Sequence, residues 1–378
     1  MKKTLCIVLA LVMMFALLAA CGGGGNTAAT PPPAAAPTQT IAPATPPPPP
    51  PQAEGWDFSD ATKVNLQFAV WLPDFDPTVI YTANFLDAIK SYTEGTVDYT
   101  MHASATLCAA EEQLDAVKSG LADIAFTNVA YYAGTLPVSY LLEYPGVNYA
   151  HDLARANAIN EWHKTLNLDE LKDFKILFAS GQGNGAFHTT VPLRTVEDFK
   201  GVQMRTSAAL IPVMELYGMI PTAMTMGEVY EAMRTGVVQG ATAMVMAAHT
   251  FKLFEIADYC TMDPYFLSTY VMPLNMDVWN SLTPDQQEAV EAASEYAFSK
   301  YIAPGREDEM AGCISDFEAA GVEVIYFDQA NLAKMAELNS PLAVNHAAGI
   351  PGGNEALALI HELAAKWNGI YPQYVADR

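Results

Sequence analysis

Residues 195–241 read TVEDFKGVQMRTSAALIPVMELYGMIPTAMTMGEVYEAMRTGVVQGA. Their pattern predicts a short strand that ends near Arg205, followed by a helix, a second strand, a second helix and a third strand. Apolar and polar residues alternate along the first strand, so Arg205 is expected to lie opposite Met204 and to point away from the buried face. Strands and helices that alternate in this way indicate an α/β fold.

Arg205 is the residue of this block that most clearly suggests a function. Ligands of open α/β sheets bind at the carboxyl ends of strands, and Arg205 ends its strand. Its guanidinium offers a rigid fork of donors that matches a carboxylate. A surface salt bridge is the alternative, since the chain has 42 acidic against 19 basic residues. Thr206 and Ser207 can cap the next helix, and Gly218 can end it.

Four runs in this block follow one another in a specific order: VEDFKG at 196–201, QMRT at 203–206, GEVYEAM at 227–233 and GVVQGA at 236–241. Together with WLP at 71–73 and VKSGLADI at 117–124, they resemble the substrate-binding proteins of tripartite ATP-independent periplasmic (TRAP) transporters, the DctP family. The resemblance covers most of residues 64–330.

This resemblance implies a two-lobed periplasmic-binding-protein-like fold with mixed sheets, hinge strands and a long helix that crosses between the lobes. Residues 63–185 and 271–310 would form lobe I, and residues 186–270 and 311–378 would form lobe II. The lobes would close over an organic acid and deliver it to an integral-membrane permease that is driven by an ion gradient, without an ATPase.

The resemblance also implies that Arg205 contacts the carboxylate of the ligand. Many relatives have a second arginine one strand earlier, where this chain has Phe187. An aromatic residue at that position favours a monocarboxylate with an apolar or aromatic body over a dicarboxylate. His188 is a candidate donor, with a simple loop residue as the alternative. Further candidate contacts, for which core packing is the alternative, are Trp71, Asn128, Tyr131, Thr206, Tyr230, Met246, Tyr265 and Asn275.

The amino-terminal residues have the pattern of a bacterial lipoprotein signal. Lys2 and Lys3 precede an apolar run at 5–17, which is shorter than a membrane span of about 20 residues. Leu-Ala-Ala then precedes Cys21, so residues 1–21 are predicted to be a signal peptide and lipobox that anchors the protein, through a lipid on Cys21, outside the cytoplasm. An ordinary signal peptide is the alternative. Residues 22–62, in which Gly, Ala, Thr and Pro predominate, are predicted to be a disordered linker.

Composition argues against several kinds of partner. The formal net charge is -23, whereas nucleic acid rewards basic patches, so no nucleic-acid partner is expected. The same charge argues against direct binding to an anionic membrane surface. A hydrophobic fraction of 51% indicates a large core.

Periodicity and breakers predict the remaining elements. Strands are expected at 64–70, 97–101, 124–126, 176–179 and 322–327, and helices at 79–93, 109–118 and 355–366. Thr283, with Pro284 and Gln286 after it, is a strong helix start, and that helix is expected to reach about residue 303. It should kink near Pro304 and resume as far as residue 320.

No catalytic constellation is visible in the sequence. The histidines lack metal-ligand spacing, HExxH and GxSxG motifs are absent, and the glycines at 181–185 lack the spacing of a phosphate loop. We therefore predict a protein that is not an enzyme and has no cofactor or metal; a ligand-sensing protein for a signalling partner and a secreted α/β hydrolase are the alternatives. Cys108, Cys260 and Cys313 are odd in number, which favours buried free thiols over a disulfide.

Overall fold

A computed structural model describes the chain over residues 55–182, 185–263, 265, 267–304 and 307–371. The predicted signal peptide, Cys21 and most of the predicted linker lie outside these ranges. Within them, no helix is both long enough and apolar enough to cross a membrane.

The described residues contain eleven strands. In chain order they are β1 (Val64–Val70), β2 (Val97–His102), β3 (Ile124–Asn128), β4 (Phe174–Gln182), β5 (Gly185–Thr189), β6 (Gln203–Thr206), β7 (Ile220–Ala223), β8 (Gly240–Met244), β9 (Tyr259–Asp263), β10 (Ser268–Asn275) and β11 (Glu323–Tyr326).

These strands form two mixed sheets. The first has the order β2-β1-β3-β10-β4, and the second has the order β11-β9-β5-β8-β6-β7. In each sheet one strand runs against all the others: β10 is antiparallel to β3 and β4, and β5 is antiparallel to β8 and β9. The chain passes from the first sheet to the second between β4 and β5, and it returns between β9 and β10. The predicted two-lobed α/β fold with mixed sheets is thereby confirmed.

Helices cover the sheets. In chain order they are α1 (Pro77–Tyr92), α2 (Gln113–Ser119), α3 (Asp152–Thr165), α4 (Ile211–Leu216), α5 (Met226–Arg234), α6 (Val245–Thr250), α7 (Met276–Ser281), α8 (Pro284–Ala297), α9 (Glu307–Ala319), α10 (Gln329–Asn339), α11 (Leu342–Ala348) and α12 (Gly353–Ile370). Helix α8 packs on α1 beside the first sheet and continues into a π-helical turn. Helix α9 packs on α6 and β11 beside the second sheet, so this helical segment crosses from one sheet to the other.

Local sequence accounts for most of the element boundaries. Thr283 caps α8, because its hydroxyl accepts the Gln286 N–H while the Gln286 side chain accepts the Thr283 N–H. Asp76 caps α1, because its side chain accepts the Thr78 N–H at 2.8 Å. Within 195–241 the predicted order of strand, helix, strand, helix and strand is confirmed as β6, α4, β7, α5 and β8.

Several elements were not predicted from the sequence, and β10 illustrates why. All eight of its residues are buried, so it lacks the alternation that identifies a half-buried strand. The helix predicted at 109–118 begins as a short 3-10 turn, Ala110–Glu112, before α2 follows.

The core consists of two clusters of buried apolar side chains, each of which draws on both sheets. Near the carboxyl end, α12 packs on α3, and the Trp162 indole N–H donates to the Ala356 carbonyl at 2.8 Å. Among the described residues, Cys108 and Cys260 are buried free thiols and Cys313 is a half-buried one.

Candidate functional site

A small cavity lies where strand ends of the two sheets meet. The first sheet contributes Trp71 after β1 and Asn128 at the end of β3. The second contributes Arg205 near the end of β6 and Met244 at the end of β8. Its position is where open α/β sheets bind ligands.

Arg205 is held in this cavity by neutral acceptors. Its Nε and one terminal nitrogen donate to the Met224 carbonyl at 2.9 and 2.6 Å. The other terminal nitrogen donates to the Thr242 carbonyl at 3.0 Å. The side chain is only 3% exposed, and the phenol of Tyr131 lies beside the guanidinium. These hydrogen bonds fix the orientation of the guanidinium.

Arg205 takes part in none of the ion pairs among the described residues, so no acidic side chain of that part of the chain pairs with its charge. The Glu228 carboxylate attracts Arg205 electrostatically without pairing with it. That carboxylate already caps α5 by accepting hydrogen bonds from the N–H and the hydroxyl of Thr225. Burial lowers the pKa of Arg205, although a guanidinium still stays charged in a protein. A buried cation in this state favours an anion from outside the chain.

The expectation that Arg205 points away from the buried side was wrong in one respect. It does lie opposite Met204, but Arg205 and Met204 are both buried, and only Gln203 at the start of β6 is exposed. Met204 belongs to one core cluster, and Ala241, which pairs with Arg205 on β8, belongs to the other. Alternation identifies two faces of a strand, but it cannot tell whether the polar face meets solvent or a closed cleft.

Aromatic side chains form the walls of the cavity. Trp71 stacks on Phe251 with ring centroids 6.2 Å apart, and its edge meets Tyr131 at 6.1 Å. The Trp71 indole N–H is buried without a hydrogen-bond partner among the described residues. Tyr270, which also lines the cavity, stacks on Phe126 with ring centroids 4.9 Å apart. These rings can hold a flat apolar body, and the indole N–H is available to a polar atom.

A polar corner adjoins Tyr270. The Asn128 amide donates to the Ser268 hydroxyl at 2.6 Å, and the Asn128 carbonyl accepts the Ala130 N–H. Glu143 lies in the same lining, and one of its oxygens accepts the Thr269 N–H at 2.6 Å. Burial raises the pKa of Glu143 to about 8, because desolvation disfavours the ionised form of the acid.

Four of the predicted ligand residues meet in the cavity: Trp71, Asn128, Tyr131 and Arg205. Phe187 and His188 lie elsewhere in the second sheet. Phe187 is wholly buried and packs on Phe199 at 5.2 Å. The His188 ring meets Phe317 edge-on at 5.7 Å, and burial lowers its pKa to about 4.

The remaining predicted residues make local structural contacts outside the cavity lining. Thr206 bonds the Thr242 hydroxyl at 2.9 Å, and Tyr230 donates to Glu255 at 3.0 Å. Asn275 caps α7 and donates to the Val117 carbonyl. The Tyr265 hydroxyl donates to the Leu332 carbonyl, and Met246 is half-buried on α6. Cys21 lies outside the described residues.

Of the residues in and beside the polar corner, sequence reasoning singled out Asn128 but not Glu143, Ser268 or Tyr270. Glu143, Ser268 and Tyr270 come from segments without a motif or a clear period. The one sequence feature that could have indicated a buried Glu143 is its position between two leucines and Tyr-Pro. The described residues contain no group of three or more His, Cys, Asp or Glu side chains placed to hold a metal ion.

The chain matches one family model over residues 68–349, and that model is described as "Bacterial extracellular solute-binding protein, family 7", or DctP. A relative with a related sequence is the 2,3-diketo-L-gulonate-binding periplasmic protein of Escherichia coli. The two are 25% identical over 276 residues, which cover 69% of this chain and 80% of the relative.

Two solved structures are similar in fold, each with a TM-score of 0.75. One is a TRAP solute-binding protein from Rhodoferax ferrireducens with copurified benzoate, at 21% identity. The other is a marine metagenome TRAP solute-binding protein specific for aromatic acid ligands, with 3-hydroxybenzoate, at 19% identity. Each comparison covers 81% of this chain and 99% of the similar one.

Proposed function

Because the chain belongs to the DctP family of bacterial extracellular solute-binding proteins, the receptors of TRAP transporters, we propose that it binds an organic acid around Arg205 and delivers it to a membrane permease. The supporting observation is the buried guanidinium, which meets only carbonyls and a phenol within the described residues. A carboxylate from the ligand would supply the missing negative charge and accept the N–H donors that remain.

The ligand class that we propose is a monocarboxylate with an aromatic or apolar body. Arg205 is the one basic residue in the described lining, which leaves a second carboxylate without a counter-charge. The rings of Trp71, Tyr131 and Tyr270 would cover an apolar body. The two structurally similar proteins hold benzoate and 3-hydroxybenzoate, which are acids of this kind.

The carboxylate contact alone does not supply the binding free energy of a micromolar complex. A micromolar complex needs about 8 kcal/mol, whereas one charge-assisted hydrogen bond contributes about 1.5–3 kcal/mol. We therefore propose that the aromatic walls and closure of two lobes provide the rest. Lobe I would comprise residues 63–185 and 271–310, and lobe II residues 186–270 and 311–378. The last helix of lobe II, α12, would then rest on α3 of lobe I.

A thermal-shift screen of small carboxylates, with turnover followed in parallel, tests the proposed function. A ligand at 100 times its Kd stabilises the folded state by about 2.7 kcal/mol. We expect aromatic monocarboxylates to raise Tm and to be recovered unchanged. Native mass spectrometry of the purified protein would identify any acid that the protein retains from the host cell. A screen in which no carboxylate raises Tm, or one in which the acid is hydrolysed, would contradict the proposal.

We also propose that Cys21 carries a lipid that anchors the protein outside the cytoplasm, on the strength of the signal pattern at 1–21. We expect cells to incorporate labelled fatty acid into the full-length protein but not into a Cys21→Ser variant. Replacement of Cys6, which lies before the lipobox, is the matched control and should leave the label in place. Equal labelling of the Cys21→Ser variant would disprove the anchor.

A further inference from the structure

Glu143 is an ionisable group of the cavity that the proposed carboxylate contact leaves unused. Its side chain is 1% exposed and lines the same cavity as Arg205. It ends a 3-10 turn, Ser139–Glu143, that packs against β10 of the first sheet, whereas Arg205 belongs to β6 of the second. The two side chains therefore reach one chamber from different sheets.

Glu143 takes part in none of the ion pairs among the described residues, and it is held by Thr269, whose backbone N–H donates to it at 2.6 Å. A buried carboxyl group without a cation is more stable as the neutral acid. In that form it offers one O–H donor and an acceptor, which is the pairing that a hydroxyl or carbonyl group requires.

The described groups that titrate around Glu143 are Tyr140 and Tyr144 beside it in the chain, Tyr131 on the neighbouring 3-10 turn, Tyr270 on β10, His346 on α11 and, from the second sheet, Arg205. Burial raises the pKa of all four tyrosines above the usual value, so their phenols stay neutral around pH 8. The His346 ring packs on Tyr140 and Tyr144, and its Nε2 bonds the Pro137 carbonyl.

Resting on the proposed function, we propose that the neutral carboxyl group of Glu143 hydrogen-bonds an uncharged hydroxyl or carbonyl group of the ligand. Glu143 thereby selects hydroxy or oxo monocarboxylates over unsubstituted acids. An unsubstituted acid would displace water from Glu143 and leave its buried O–H unpaired. A site built to hydrogen-bond a polar substituent discriminates against analogues that lack it for this reason.

The same arrangement gives ligand binding a pH dependence of defined sign. The pKa of Glu143 is raised to about 8, so the acid is neutral below that pH and ionised above it. Once ionised, it loses its donor and repels the anionic ligand. If the bound state holds the neutral acid, Kd should rise about 10-fold between about pH 7 and about pH 9. Arg205 keeps its charge throughout this range.

Calorimetry with benzoate and 3-hydroxybenzoate, which differ by one hydroxyl group, tests the inference on the full-length protein. We expect 3-hydroxybenzoate to bind roughly two- to tenfold more tightly at about pH 7, the worth of one hydrogen bond. Glu143→Gln keeps the Thr269 contact and a neutral donor, so it should keep the preference and lose the pH dependence. Glu143→Leu should abolish the preference.

Glu197→Gln is the matched control, because Glu197 is exposed and pairs with Lys334 at 2.6 Å. It should bind both acids as the unmodified protein does at every pH. Equal affinity for the two acids, a preference that survives in Glu143→Leu, or an unaltered pH profile in Glu143→Gln would each overturn the role of Glu143 while the proposed function stands. Failure of both acids to bind would overturn the proposed aromatic ligand class, and the inference with it.

Discussion

Replacement of Arg205 by alanine is expected to weaken the binding of an organic acid by roughly 30-fold or more. Loss of one partner of a buried, hydrogen-bonded charge pair costs about 2–5 kcal/mol, because the other charge remains buried and unpaired. The guanidinium is 3% exposed, so water cannot take its place easily. Isothermal calorimetry with an acid that raises Tm would measure the change.

Arg234→Ala is the matched control for this prediction. Arg234 is half-exposed on α5 and pairs with Glu231 one helical turn earlier, so its removal should leave affinity unchanged. Arg205→Lys should fall between the two, since lysine keeps the charge but lacks the planar fork. If Arg205→Ala binds the acid as tightly as Arg234→Ala does, the carboxylate does not lie against Arg205.

Replacement of Phe178 by alanine is expected to lower the free energy of unfolding by about 3–5 kcal/mol, the usual cost of deleting a buried aromatic side chain. Phe178 is 1% exposed on β4. Its ring contacts Phe85 on α1 at 4.8 Å and Phe126 on β3 at 6.3 Å. The substitution therefore leaves a cavity between the first sheet and its helices. Urea unfolding followed by circular dichroism would measure the loss.

Phe75→Ala is the corresponding control, because Phe75 is 60% exposed before α1 and has little apolar contact to lose. Its effect should stay within about 0.5 kcal/mol. Since Phe126 also stacks on the cavity residue Tyr270, Phe178→Ala should weaken ligand binding as a secondary effect. Equal stability of the two variants would mean that the aromatic cluster does not support the first sheet.

The elements that the sequence predicted correctly are those with a local signal. The cap at Thr283 and the alternation of β1 lie within a few residues of the features they explain. By contrast β10 is buried along its whole length and has no such period, so its place between β3 and β4 could not be predicted. The same distinction applies to the site residues. Arg205 belongs to a recognisable sequence motif and could be predicted, whereas Glu143 belongs to no motif and could not.

From the sequence alone one obtains the α/β class, the order of elements through residues 195–241, the family resemblance and the position of Arg205 at a strand end. The tertiary structure alone decided that Arg205 is buried without an acidic partner among the described residues, that Phe187 packs in the core, and that a polar corner completes the cavity. That corner joins Asn128 to Ser268 and Glu143 to Thr269, which are more than a hundred residues apart. Such contacts depend on where the chain crosses between sheets, and local periodicity carries no information about that crossing.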